Sequence, residues 1–104
     1  MKQFKINYEY TGFNNELTGL EVCGKLYTLD QLTEATKELL TAMTYEDYQN
    51  TIDYFTGIAQ MIGYDVTIQA IKDLEELGVQ IAPKSVYRKL VMDGAKVKYK
   101  GLWR

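Results

Sequence analysis

QFKINYEYTGFNNELTGLEVCGKLY, from Gln3 to Tyr27, is the stretch that decides the fold. Its first part alternates: Phe4, Ile6, Tyr8 and Tyr10 project one way, and Lys5, Asn7 and Glu9 the other. Successive side chains of a strand point to opposite faces, so this pattern predicts a strand with one face buried. Thr11-Gly12-Phe13-Asn14-Asn15 supplies turn chemistry, because Gly and Asn accept positive φ. Alternation resumes through Leu20, Val22 and Leu26 over residues 17–27, with Gly19 and Gly24 as marks of a bulge or a tight bend. The two runs together predict an antiparallel hairpin with one face toward a core.

Working outward, the next segments read as helices. Thr28 and Gln31 have capping-box spacing, and Leu29, Leu32, Thr36, Leu39 and Met43 follow at helical intervals, predicting a first helix over residues 29–42. Thr44, with Glu46 and Asp47 behind it, predicts the start of a second helix. Its apolar stripe is Tyr45, Tyr48, Ile52, Phe55, Ala59 and Ile62, Gly57 allows a close helix contact, and Gly63 ends it. Asp65 is placed to cap a third helix that runs to Leu77 and stops at Gly78, with Ala70, Ile71 and Leu74 inward. Pro83 fits the first turn of a fourth helix, which Val86, Tyr87, Leu90 and Val91 bury and Gly94 stops. Residues 95–100 alternate again, Val97 and Tyr99 against Lys96, Lys98 and Lys100, predicting a short basic strand available to join the sheet. The expected fold is therefore α+β, one small domain over residues 1–104: an N-terminal antiparallel β-hairpin, four helices and a short C-terminal basic strand.

Composition narrows the chemistry. The chain has 104 residues and no histidine, so the usual neutral-pH base and the commonest metal ligand are both missing. Ser85 is the sole serine and Cys23 the sole cysteine, which excludes Ser-His and Cys-His nucleophile pairs, Cys/His zinc sites and an internal disulfide. The adjacent pairs Glu46-Asp47 and Glu75-Glu76 diverge by about 100° on a helix and cannot share a substrate. No enzyme activity, cofactor or metal is expected. No apolar run approaches the roughly 18 residues of a membrane span, so no membrane partner is expected. A lone cysteine, read as a small buried hydrophobe on a strand, and an N-terminus unlike an export signal favour the cytoplasm.

Charge is divided along the chain. Residues 1–83 hold 5 basic and 13 acidic side chains, a net −8, whereas residues 84–104 hold 7 basic and 1 acidic, a net +6. Such asymmetry points to a charged partner, or to the two ends attracting each other. Asp30, Glu34 and Glu38 recur every four residues as one acidic stripe, and Glu46, Asp47 and Asp53 lie off the apolar stripe of the second helix. Tyr54 and Tyr64 also fall outside the apolar stripes and read as exposed interface residues, while Tyr8, Tyr48 and Tyr87 read as core. This set predicts a protein-binding surface. Its most specific form is a nucleic-acid mimic, a small acidic inhibitor that competes with nucleic acid for a basic site on a nucleic-acid-processing enzyme. Anti-defence proteins of phages and mobile elements offer an analogy of size and charge.

A second reading centres on residues 70–104. Glu76-Leu77-Gly78-Val79 followed by Ser85-Val86-Tyr87-Arg88-Lys89-Leu90 resembles the helix-turn-helix families of DNA-binding regulators. The resemblance implies DNA as the partner, with Lys84, Ser85, Arg88 and Lys89 on the exposed side of the second helix and Lys96, Lys98 and Lys100 on phosphates. It departs from the family at Leu74, where a small residue is expected, and in the length of the turn from Gly78 to Pro83. A third reading is an obligate oligomer with a structural role.

Overall fold

Three strands, not two, form from the opening stretch. A computed structural model describes residues 3–45 and 47–100, with side chains for those up to residue 94. Strands β1 (Phe4–Tyr10), β2 (Asn15–Val22) and β3 (Lys25–Thr28) make an open antiparallel sheet in that order. Phe4 lies opposite Val22, Ile6 opposite Leu20 and Tyr8 opposite Leu17. The register shifts between Asn7 and Tyr8, leaving Thr18 as the extra residue on β2. Cross-strand partners share a face, so this bulge brings Leu17 onto the face of Leu20 and Val22 despite its odd position. Gly19 beside it is fixed by a close approach: a Cβ there would stand 2.9 Å from the Tyr27 carbonyl oxygen.

Cys23 and Gly24 form the turn between β2 and β3, with φ of 51° and 87°. A two-residue turn with both φ positive matches the twist of the flanking strands. It sets Val22 opposite Lys25 and Leu20 opposite Tyr27. Leu26 therefore falls opposite Glu21 on the outer face, 53% exposed, where alternation carried through the turn had placed it inside. Cys23 is likewise exposed rather than buried, because it belongs to the turn.

The predicted first helix is two elements. The capping residues hold, with the Thr28 N–H donating to Gln31 Oε1 at 2.9 Å, but they cap a single 3-10 turn, Leu29–Gln31. Leu32 and Thr33 are extended, and Thr33 caps helix α1 (Glu34–Met43), its oxygen accepting the Thr36 N–H at 3.2 Å. The same hydroxyl donates to the Asp73 carboxylate at 2.5 Å. Helix α2 (Ile52–Ile62) starts at Thr51, which accepts the Tyr54 N–H, and not at Thr44. Gly63 separates α2 from α3 (Tyr64–Glu76), so Asp65 lies in the first turn of α3 and not at its cap. At the other end Gly78 has φ of 95°, the Val79 N–H reaches the Leu74 carbonyl at 2.9 Å, and the Gly78 N–H reaches Glu75 at 3.0 Å. This is a glycine stop of the Schellman kind.

Helix α4 (Lys84–Lys100) overturns the predicted C-terminal strand. The Pro83 carbonyl accepts the first helical N–H groups, from Val86 and Tyr87, and the helix passes Gly94 and continues. Gly94 serves a different purpose there: a Cβ would stand 3.1 Å from Tyr64 Cβ, so the glycine lets α4 and α3 approach. Gly57, by contrast, has open space around it, so the close helix contact expected there is found at Gly94. The sheet's third strand is β3, and the fold is α+β with four helices after the sheet.

The core lies between the inner sheet face and the helices. Leu20, Leu39, Leu40, Phe55, Ile71, Leu74, Ile81 and Leu90 are fully buried within it. Tyr48, in the segment before α2, binds three regions together. Its ring meets Phe4 of β1 edge-on at 5.4 Å, and Tyr54 and Phe55 of α2 at 5.9 and 6.3 Å. Its hydroxyl donates to the Ile81 carbonyl in the connector between α3 and α4. Burial pushes its pKa above the ordinary phenol value.

Candidate functional site

Helix α1 buries Thr36, Leu39, Leu40, Ala42 and Met43, which turns Glu34, Lys37, Glu38 and Thr41 outward. Tyr45 continues this ridge beyond the helix end. Two hydrogen bonds hold it against the sheet: Tyr45 Oη accepts the Asn15 N–H at 3.1 Å, and Asn15 Nδ2 donates to the Thr44 carbonyl at 3.1 Å. Between this ridge and the end of α2 lies a groove of about 440 Å³ lined by Lys37, Glu38, Thr41, Ala42, Tyr45, Met61 and Ile62. Tyr45 is 54% exposed and Met61 62%. A second cleft of about 360 Å³ opens beneath Tyr45, where Asp47 meets Ile6, Tyr8, Met43 and Tyr48.

The acidic residues predicted from the sequence are distributed unevenly about this groove. Glu34 and Glu38 share the outer face of α1, and Glu34 pairs with Lys37 at 2.8 Å. Glu34 is exposed and Lys37 half-buried, and a surface pair of this kind contributes little to stability. Asp30 does not continue the stripe: it sits on the 3-10 turn, separated from α1 by the extended Leu32 and Thr33. Asp47 is exposed at the second cleft, and Asp53 is exposed in the first turn of α2. Glu46 lies outside the described residues.

The tyrosines are rearranged. Tyr54 is buried at 8% exposure, because α2 packs against α1, α3 and α4 and also meets the Tyr48 ring, and so buries a wider arc than one stripe. Tyr64 is half-buried against Gly94, and Tyr8, expected in the core, is 49% exposed. Tyr45 and Met61, the exposed apolar residues of the groove, escaped sequence reasoning. Placing the second cap at Thr44 assigned Tyr45 to a buried stripe; the equally good cap at Thr51 was the signal that frees it.

The basic helix forms a separate region. Lys84, Ser85, Arg88 and Lys89 are exposed on α4, as the sequence placed them. Lys96, Lys98 and Lys100 stand on the same helix, and their side chains lie outside the described set. A cleft of about 390 Å³ joins Lys72 and Glu75 of α3 to Lys84, Tyr87 and Arg88, and the Lys72 ammonium lies 5.7 Å from the Tyr87 ring centre. Start of α4 beside end of α3, and Gly94 beside Tyr64 and Ile68, define an antiparallel helix hairpin. Helix-turn-helix pairs instead cross at about 90–120° over a turn of about 3–4 residues. Here the connector spans residues 77–83 and buries Val79, Ile81 and Ala82, and Leu74 is fully buried where the family has a small side chain.

Among the described residues the two ion pairs, Glu34–Lys37 and Lys89–Asp93, each lie within one helix. No bridge described here joins the basic helix to the acidic remainder. Also among the described residues, no cluster of three or more His, Cys, Asp or Glu side chains is arranged to hold a metal ion, and no helix is long and apolar enough to cross a membrane. Comparison with protein-family models, curated proteins and solved structures finds no match to this chain.

Proposed function

We propose that the chain is a non-enzymatic protein-binding module that docks a basic partner through the α1–α2 groove. The observation that carries this reading is the groove: an apolar floor at Ala42, Tyr45, Met61 and Ile62, with Glu38 and Lys37 at its rim, Lys37 paired with Glu34. An apolar centre with a charged rim is the usual anatomy of a protein interface, and exposed tyrosine and methionine are favoured there. Glu34, Glu38, Asp47 and Asp53, all exposed, would steer a basic surface toward it. The most specific form of the reading is an inhibitor that excludes nucleic acid from that basic surface. Glu34 and Glu38, one helical turn apart at about 5–6 Å, imitate successive phosphates. With Asp30 off the helix, two carboxylates carry the imitation rather than three.

The test is capture of a basic protein from the native host by the immobilised chain, repeated with Met61→Ala and with Glu34→Lys plus Glu38→Lys. The wild type retains the partner and both variants lose it by about tenfold or more. Equal retention by all three overturns the reading. Displacement of the captured partner by single-stranded DNA then separates nucleic-acid competition from plain docking.

A further inference from the structure

The sheet leaves one long edge open. β3, at one side, is four residues long, which blunts it. β1, at the other, is seven residues long, carries neither proline nor the bulged residue, and packs closely against no element but β2. Hydrogen bonds fix which of its backbone groups face outward. The Gln3 carbonyl accepts the Cys23 N–H at 3.0 Å, and the Thr11 N–H donates to Asn14 at 2.9 Å, so odd-numbered residues face β2. In a strand the N–H and C=O of alternate residues point the same way, so Phe4, Ile6, Tyr8 and Tyr10 present theirs to the open edge. No backbone bond among the described residues reaches those groups.

We propose that this edge pairs with β1 of a second copy of the chain, antiparallel about a dyad at Asn7, to give a continuous six-stranded sheet. The sequence FKINYEY is complementary to itself in that register. Phe4 meets Tyr10 of the second copy, and Ile6 meets Tyr8; these are the hydrogen-bonded pairs, with roughly eight bonds across the dyad. Lys5 meets Glu9 of the second copy as a non-hydrogen-bonded pair, where side chains come closest. The neighbouring registers that preserve hydrogen-bond parity set Lys5 against Asn7, or Asn7 against Glu9. Each leaves one end of the strand unpaired and joins no opposite charges. Dimerisation also covers Tyr8 and Tyr10, which the single chain leaves 49% and 72% exposed. The surface is distinct from the α1–α2 groove and does not depend on its role.

Sedimentation and a spin label on the native Cys23 test the proposal together. In the proposed dimer Cys23 lies about four residues along the strand from the dyad and one strand out, which sets the two labelled backbones about 30 Å apart. The expected result is a dimer at about 100 µM with that spacing. Lys5→Glu alone and Glu9→Lys alone each weaken self-association by about tenfold, because like charges then face each other. Mixing the two variants restores dimers, since each supplies the charge that the other lacks. Helical circular dichroism and a cooperative unfolding transition establish that each variant is folded, and the mixing experiment excludes misfolding as the cause. A wild-type monomer at this concentration, a dimer with a label spacing more than about 10 Å away from expectation, or reversals without effect overturns the proposal.

Discussion

The sheet and the helices bury their side chains on different terms. No residue of β1 or β3 is fully buried; the central strand alone supplies Leu17, Leu20 and Val22 to the core. Helices α1, α2 and α3 each bury several side chains, and Leu39, Leu40, Phe55, Ile71 and Leu74 have essentially no exposure. The sheet is thus held mainly through its middle, with Phe4, Ile6 and Tyr27 of the outer strands only half-buried against the core. Stability resides in the helical layer, and the edges are available for contacts outside the chain.

The largest test of that contrast is Phe55→Ala against Leu26→Ala. Phe55 is fully enclosed in the aromatic cluster, and its truncation costs about 3–5 kcal/mol in urea unfolding. Leu26, on the outer face, costs about 0.5 kcal/mol or less. Similar losses from the two would break the contrast.

Gly19→Ala is the next largest. The added methyl meets the Tyr27 carbonyl, which is backbone and part of the β2–β3 ladder, so the strands must part. A loss of about 1–3 kcal/mol is expected. Amide exchange should quicken in β3 and stay slow in α1 and α3; uniform quickening would show sheet and helices to be one cooperative unit.

Two glycines sharpen the picture within the helices. Gly57→Ala meets nothing within 4 Å and raises stability by about 1 kcal/mol through helix propensity. Gly94→Ala gains less, because its methyl presses on Tyr64. A larger gain at 94 than at 57, read from thermal midpoints, would remove the close contact from the account.

The smallest effect is that of pH at Tyr48. Burial holds its phenol above the ordinary 10.0, so in alkali the folded chain keeps a proton that the unfolded chain releases. The contribution is complete below pH 10.0 and is lost as pH rises through the folded pKa. Tyr48→Phe lowers stability at neutral pH by removing the bond to Ile81 and flattens the decline above pH 10.0. Parallel wild-type and mutant profiles would dissociate Tyr48 from the alkaline loss.

What could be read from the sequence was what local chemistry decides. Alternation in β1, the capping residues Thr28 and Gln31, and the stop at Gly78 depend on neighbours a few positions away; the cap and the stop stand, and β1 is a strand whose half-buried face ends at Ile6, with Tyr8 and Tyr10 exposed. Thr44 and Thr51 are alike as caps by that measure, since Thr44 precedes Glu46 and Asp47, Thr51 precedes Asp53, and each opens an apolar pattern. Tertiary contacts chose between them: Tyr48 is drawn to Phe4, Tyr54, Phe55 and Ile81, contacts that accompany an irregular path before α2. Gly78 and Gly94 were equal as stops; Gly78 takes a left-handed φ of 95° and ends α3, whereas Gly94 stays inside α4 against Tyr64. Leu26 was misplaced because the turn at Cys23-Gly24 resets which residues share a face. Of the candidate surface, Glu34, Glu38, Asp47 and Asp53 are exposed as read, while its apolar floor depended on where α2 begins.

The course of α4 sets the charge boundary near Pro83 against the polarity of the backbone. Aligned peptide dipoles leave a helix with about half a positive charge at its N-terminus, where acidic side chains are favoured and cations are not. Lys84 stands in the first turn of α4, which holds no acidic residue. The basic start of the helix therefore runs counter to its own dipole, and a reason for it has to come from outside the helix.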